Sequence, residues 1–246
     1  MIIGSRLIFR ENLPSTNTYI GQLLRDEKPP EGTIVHTNYQ SAGRGQSGNR
    51  WESEDGKNLL ISILIFPSMI KPVNQFIISM AISLGICDFL NRQIPGCTIK
   101  WPNDIYVNND KIAGILIENS IRGDLIEHTI AGIGINVNQE KFLSDAPNPV
   151  SLSILTGRQY DLTGCIIQLA GKLDKRYKQL ISEDFDLLRR DYLSLLFRRN
   201  QWCDFQDMNG IFKGRISDVT DSGKLKVEQE NDIINEYSFK EIDFIL

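Results

Sequence analysis

Histidine and cysteine are scarce in this sequence: two and four residues in a chain of 246. The cysteines, Cys87, Cys97, Cys165 and Cys203, form no CxxC pair, so a zinc site is not expected. Scattered thiols without a leader pattern read as buried and reduced, which implies a cytoplasmic protein. Long apolar runs are also missing. The longest, residues 59–66, is interrupted by Ser62 and is far too short to span a bilayer as a helix, so no membrane partner is expected. The formal charge of −4 excludes a strongly basic surface of the kind that coats nucleic acid, while leaving room for a local patch. No glycine is followed by Lys and then Ser or Thr, so there is no Walker phosphate loop. Internal repeats and low-complexity segments are absent as well.

What is present is an ordinary globular composition, 41% apolar and 24% charged. A chain of this length forms one large domain, or one large and one small, and buries a sizeable core without disulfide or metal staples. Residues 6–11 read as a strand. Ser15, Thr16 and Asn17 then offer N-cap side chains for a helix to about Arg25, which Pro29 and Pro30 stop. Strands are expected at 32–37, 58–66, 98–101, 105–107, 111–118 and 130–137. Asn108, Asn109 and Asp110 supply hairpin chemistry. Apolar residues at helical spacing predict a helix over 73–90 with one apolar face, and two more over 166–180 and 185–195. After Asn200 the texture changes to short strands punctuated by Gly210, Gly214 and Gly223, with Asp221-Ser222-Gly223 as a turn. The boundaries expected are therefore 1–198 and 199–246.

Gly43-Arg44-Gly45-Gln46-Ser47-Gly48 satisfies the spacing of a dinucleotide fingerprint. That fingerprint requires a helix to open at the glycines so that its N-terminus meets a pyrophosphate. Here Asn49-Arg50-Trp51 follow as a polar turn, and the reading fails. A glycine loop carrying Arg44 and Arg50 remains. Its backbone N–H groups and guanidinium forks suit phosphate oxygens, and it fits a solvated surface loop equally well.

Three further strings narrow the choice: Lys100-Trp101-Pro102-Asn103-Asp104, then Lys111-Ile112-Ala113-Gly114-Ile115-Leu116-Ile117-Glu118, then Gly132-Ile133-Gly134-Ile135-Asn136-Val137-Asn138. With Ser15-Thr16-Asn17 and the loop over 40–51, they resemble the motif set of biotin–protein ligases, in the same order and at fitting separations. The resemblance implies an α+β fold, in which a mixed central β-sheet with packed helices (the class II synthetase-like biotin–lipoate ligase fold) is followed by a small SH3-like β-barrel. It implies ATP, Mg²⁺ and biotin as reactants, a biotin carboxyl carrier domain as the partner, and a monomer or homodimer.

Carried over position by position, Ser15, Thr16, Asn17 and Gln40 are expected to hydrogen-bond the biotin ureido ring. Gly43, Arg44 and Gly45 are expected along the biotin and the acyl phosphate, with Gln46 close by and Trp51 against the biotin tail. Lys111 is expected at the carboxylate and the α-phosphate. Arg50, Asn103, Asp104 and Asn136 are assigned to the adenylate side, and Gly114, Gly132 and Gly134 to ligand clearance. Many bacterial members carry Arg at the position of Gln46 and a basic residue at Asn49, which leaves Arg44 and Arg50 as the cations of this loop.

The chemistry suits these residue types. Bringing a carboxylate against ATP costs about 4 kcal/mol per contacting charge pair at intermediate dielectric, so fixed cations such as Lys111 and Arg44 are needed. No protein nucleophile is required, and no Ser-His-Asp or Cys-His signature is found. Taken alone, Lys111 is an ordinary exposed lysine beside a turn, Trp51 and Trp101 are core aromatics, and the Gly132/Gly134 pair is a bulge. His36 and His128, in strand-like segments, are expected to be structural. Arg189-Arg190 and Arg198-Arg199 are expected to be solvated helix ends. A lipoate or octanoate ligase of the same superfamily and a non-catalytic biotin binder are the alternatives. A biotin-responsive repressor needs helix-turn-helix segments ahead of Ser15, where there is no room, so operator binding is not expected.

Overall fold

The computed structural model describes residues 1–143, 148–230 and 232–245. Seven strands build the main sheet: β1 (Arg6–Leu13), β2 (Thr33–Gln40), β3 (Leu59–Ile65), β4 (Cys97–Lys100), β5 (Asp104–Val107), β6 (Asp110–Arg122) and β7 (Leu125–Ile135). Their order is β1-β2-β3-β7-β6-β5-β4. β1 and β2 run parallel, joined through α1 (Thr16–Asp26), and the other neighbours run antiparallel, so the sheet is mixed as expected.

Alternation along the strands decides which face is filled. Ile61, Ile63 and Ile65 of β3 and Ala131, Ile133 and Ile135 of β7 join one large buried cluster under α2 (Phe76–Leu90), α4 (Leu162–Ile181) and α5 (Phe185–Leu195). Leu64 and Ile130 point to the opposite face, where they meet Ile20 and Leu23 of α1 in a smaller cluster. That second face is only partly covered, and the site lies there.

Several local expectations change. The helix over 73–90 begins at Phe76, after a single 3₁₀ turn, Pro72–Asn74, and Val73 is exposed. It is apolar nearly all round, not on one face, because the sheet, α4 and α5 enclose it. The stretch Pro72–Leu90 has the length and apolarity of a membrane span, yet 67% of its apolar window is buried inside the fold. Ser15 stands at the N-cap of α1 in extended geometry, but its side chain makes no capping bond. The Gly132/Gly134 pair is not a bulge: β7 pairs with β3 in unbroken register from Ile135 to Thr129. β6 and β7 form one long hairpin, longer at its far end than their apolar stretches suggest. A short helix, α3 (Leu152–Thr156), was not anticipated. It is capped by Ser151, whose Oγ accepts from the Ile154 N–H at 3.3 Å.

The all-β character after Asn200 is observed. β8 (Trp202–Asp207), β9 (Gly210–Val219), β10 (Leu225–Gln229), β11 (Ile234–Tyr237) and β12 (Asp243–Phe244) form an antiparallel sheet in the order β11-β10-β9-β8-β12. Among the described residues no pairing joins β11 to β12, so it is an open five-stranded sheet and not a closed barrel. The turn at Asp221-Ser222-Gly223 joins β9 to β10, with Gly223 at φ +92°.

This sheet is not hung loosely. Phe205, Ile216, Val219, Leu225 and Val227 belong to the same buried cluster as α2 and α4. The Trp101 indole N–H donates to the Gly223 carbonyl at 2.8 Å. Arg189, expected to be solvated, pairs with Asp218 at 2.8 Å and Asp221 at 3.1 Å, and Arg199 donates to the carbonyls of Leu193 and Ser217. His36 stacks against Phe9 with ring centroids 5.1 Å apart, a structural place.

Where α2 crosses α4, Gly85 lets the two backbones approach. A Cβ built there would lie 3.0 Å from the Leu173 Cα. Gly85→Val is expected to lower stability by about 1–3 kcal/mol through overpacking, read as a lower urea midpoint with an unchanged slope.

Candidate active site

The open face of the main sheet becomes a floor with a strip of missing side chains. On β6, alternation places Gly114, Leu116 and Glu118 on this face. On β7 the same face carries Gly132 and Gly134, in register with Leu116 and Gly114 respectively. β3 contributes Ser62, opposite Gly132. The three glycines have ordinary strand backbones, so conformational freedom is not why they are needed. A Cβ on Gly134 would sit 2.4 Å from the Trp51 ring, one on Gly114 2.8 Å from it, and one on Gly132 2.5 Å from Asn17 Oδ1. The glycines admit an indole and an amide directly onto the sheet.

The roof comes from two segments. The N-cap and first turn of α1 deliver Ser15, Thr16 and Asn17, all buried. The glycine loop after β2 delivers Arg44 and Gly45. It is folded back on itself by two backbone bonds, Gly45 N–H to the Asn49 carbonyl at 2.6 Å and Trp51 N–H to the Gly43 carbonyl at 3.1 Å. Gly43 is buried there, and a Cβ on it would lie 2.8 Å from the Trp51 carbonyl. Between floor and roof runs a cleft of about 450 Å³, partly open to solvent, lined by residues that include Ser15, Thr16, Asn17, Gln40, Arg44, Trp51 and Asn103.

The polar groups of the cleft form a connected line of contacts. Gln40 Oε1 accepts from the Thr16 N–H at 2.8 Å and the Thr16 hydroxyl at 3.1 Å. The buried Ser62 hydroxyl lies 2.6 Å from Thr16 Oγ1 and 2.5 Å from Asn17 Oδ1. Because Asn17 Oδ1 accepts, its Nδ2 donates, to Glu118 Oε2 at 2.7 Å. Glu118 in turn pairs with Arg44 at 3.0 Å. At the other end, Lys111 Nζ is 2.7 Å from Asp104 Oδ1 and 5.8 Å from the centre of the Trp51 ring. Both pairs are partly exposed and contribute little to stability. Their importance is that each cation stands beside the cleft already matched with a carboxylate. The Trp51 indole N–H is buried and has no partner among the described residues, which leaves a free donor inside the site.

Not every residue singled out in the sequence reaches the cleft. Asn103 does, and is fixed by its own Nδ2 donating to the Ile115 carbonyl at 2.9 Å. Asn136 is buried just past β7 and donates to the Val150 carbonyl at 3.1 Å, so in this state it ties down the segment after Asn148. That segment also brackets Lys111, whose N–H donates to the Asn148 carbonyl and whose carbonyl accepts from Val150. Arg50 lies outside, exposed, donating to the Ser41 carbonyl at 3.3 Å. Gln46 faces a neighbouring cleft that it lines with Trp101, Lys224 and Phe239.

Two residues of the chain were not singled out. Ser62 is a fully buried polar residue in an otherwise apolar strand, and its interruption of that run was the signal. Glu118 is four residues on from Gly114, on the same face of β6, and the period of two could have found it.

With this geometry in view, the chain was compared with known proteins. Residues 9–136 match the model of the biotin/lipoate A/B protein ligase family. The bifunctional ligase/repressor BirA of Bacillus subtilis is 31% identical over 96% of this chain and 74% of its own length. The biotin–protein ligase of Schizosaccharomyces pombe is 26% identical over 87% of this chain and 38% of its own. Among solved structures, the biotin protein ligase of Aquifex aeolicus, in complex with biotin and ATP, superposes with a TM-score of 0.81 at 23% identity, covering 98% of this chain and 99% of that one. The last likeness shows a shared fold, and the first two show descent: the chain belongs to the biotin/lipoate A/B protein ligase family.

Proposed function

We propose that this chain activates biotin with Mg-ATP and passes the biotinyl group to a lysine of an acceptor protein. The observation that carries the reading is the cleft itself. It combines a polar cluster made for a small polar ring, an apolar floor and indole made for an aliphatic tail, and two cations at the ends where a carboxylate meets phosphate. Relatives named as biotin–protein ligases support the choice of acid.

In the first step a carboxylate oxygen of biotin attacks the α-phosphorus of ATP. A P–O bond forms, pyrophosphate leaves, and biotinyl-5'-AMP results. Ser15, Thr16, Asn17 and Gln40 hold the ureido ring. Trp51 and the strip Gly114, Gly132 and Gly134 hold the tail. Gly43, Arg44, Gly45 and Gln46 line its acyl end, and Lys111 bridges the carboxylate and the α-phosphate. Asn103, Asp104, Asn136 and Arg50 serve the nucleotide. The repulsion between the two anions is offset by Lys111 and Arg44, which are worth more in a cleft partly cleared of water than in bulk. Magnesium arrives on the nucleotide. Asp104, the carboxylate beside Lys111, is engaged with it.

In the second step a neutral lysine amine attacks the acyl carbon, the C–O bond to AMP breaks, and the amine proton passes to a base, the role assigned in this reading to Asp104. A biotin carboxyl carrier domain in the cytoplasm is the proposed acceptor, and no nucleic acid partner is included. Residues 1–198 carry the chemistry in this reading, with 199–246 as a supporting unit.

Pyrophosphate release with Mg-ATP tests the reading, with biotin, lipoate and octanoate compared as the acid. Release that requires biotin is expected. Release with lipoate or octanoate alone moves the chain to that branch of its family, and none with any of the three removes the mechanism. Lys111→Ala is expected to cut the rate at saturating substrates at least about 100-fold, as loss of a fixed transition-state donor does, and a wild-type rate takes Lys111 out of the chemistry. Gly134→Ala is expected to displace Trp51 and weaken biotin binding about tenfold or more with little change in melting temperature. Calorimetric titration of biotin into the variant reads this, and wild-type affinity overturns it.

A further inference from the structure

We propose that Glu118 is a positioning residue for this reaction: it couples the loop cation Arg44 to the Asn17 amide, so that the acid pocket and the phosphate-side cation are held by one carboxylate. The inference rests on the ligase reading above and assigns a role to a side chain outside the expected set.

The geometry carries it. One carboxylate serves both groups: Oε2 accepts from Asn17 Nδ2 at 2.7 Å and from Arg44 Nη2 at 3.1 Å, and Oε1 lies 3.0 Å from the same Arg44 nitrogen. Asn17 is 3% exposed, and its other amide atom, Oδ1, is within 2.5 Å of the buried Ser62 hydroxyl. An amide whose oxygen already accepts can present only its N–H₂ elsewhere, so Glu118, a closer acceptor than the Leu116 carbonyl at 3.4 Å, helps fix which way round Asn17 sits. The contacts continue through Ser62 and Thr16 to Gln40, which also accepts from the Thr16 backbone N–H. Arg44 belongs to a loop on the opposite wall of the cleft. Removing Glu118 therefore does two separable things: it lets the Asn17 amide turn, and it frees Arg44 from the floor.

The residue also has a cost that shows its purpose. A carboxylate beside the path of two anions repels them unless Arg44 neutralises it. Taking Arg44 away while Glu118 stays leaves an unpaired negative charge at the cleft. Taking both away does not. The pair must therefore behave non-additively in catalysis.

Three comparisons test the proposal, all read as biotin KM and as kcat for pyrophosphate release. Glu118→Ala is expected to raise the biotin KM about tenfold or more, as loss of a charged acceptor does. Asn17→Ala on top of it adds less than it does in the wild type, since Asn17 has already lost its charged acceptor. Glu118→Gln keeps an acceptor oxygen for Asn17 and is expected to restore most of the KM lost in Glu118→Ala. In the Glu118→Gln background, Arg44→Ala lowers kcat by a smaller factor than it does in the wild type, because no carboxylate is left unpaired. This last comparison stands even where Glu118→Ala does not fold. A biotin KM within twofold of wild type in Glu118→Ala, or equal Arg44→Ala factors in both backgrounds, overturns the role. Absence of biotin-dependent release in the unsubstituted protein is a different result and strikes the ligase reading instead.

Discussion

The structure depends on a strip of absent side chains. Two adjacent antiparallel strands, β6 and β7, carry Gly114, Gly132 and Gly134 on one face, and the indole of Trp51 and the amide of Asn17 rest where β-carbons would have been. Everything in the cleft is referred to that contact. The indole sets how far the glycine loop can close, because its backbone is tied to Gly43. The amide sets where α1 begins, because Asn17 is its second residue. Glycine normally weakens a strand. Here the loss is offset by the other face of the same strands, where Ala131, Ile133, Ile135, Ala113 and Ile115 are all buried under the helices.

A rigid floor makes the electrostatics intelligible. Both cations near the cleft are partnered at rest, Arg44 with Glu118 and Lys111 with Asp104. An unpartnered cation would be mobile and would attract any passing anion. A partnered one is held in place. The same pairing explains why the sheet tolerates acidic residues facing a site meant for anions. Preorganisation of this kind costs little at the moment of reaction, because the dipoles and charges are already oriented.

Most of the fold was legible because periodicity is a property of single segments. The apolar run of β3, the helical spacing of α4 and α5, and the turn chemistry at Asn108 and Asp221 each declare themselves locally. The misread features are those set by neighbours. Whether α2 is half or wholly buried depends on how many elements enclose it. Whether Gly132 and Gly134 mark a bulge or a landing place depends on Asn17, 115 residues from Gly132, and on Trp51, 83 residues from Gly134. Ser15 resembles a cap by type, yet the side-chain bond is not made, which leaves its hydroxyl at the cleft. Of the site, the glycine and cation positions could be assigned from family resemblance. Ser62 and Glu118 could not, since their roles exist only through the partners that the sheet register brings to them.

The second sheet finds its physical connection to the site through Trp101. That indole is 4% exposed and sits immediately before the turn carrying Asn103 and Asp104. It is gripped from the far side by the Gly223 carbonyl and by an edge-on contact with Phe239, both from the C-terminal module. Gly223 is itself pressed against Phe76 at the start of α2. Lys100, one residue earlier, lies over the rings of Tyr106 and of Phe244 on β12. Burial lowers the Lys100 pKa against the pull of Asp104, so its charge is kept near the turn at some cost. The module thus braces the back of the segment whose front holds Asp104 against Lys111. A turn held from one side only would let Asp104 drift, and with it Lys111, the lysine proposed to bridge carboxylate and phosphate. The two sheets share a single buried cluster, which carries this bracing from one to the other.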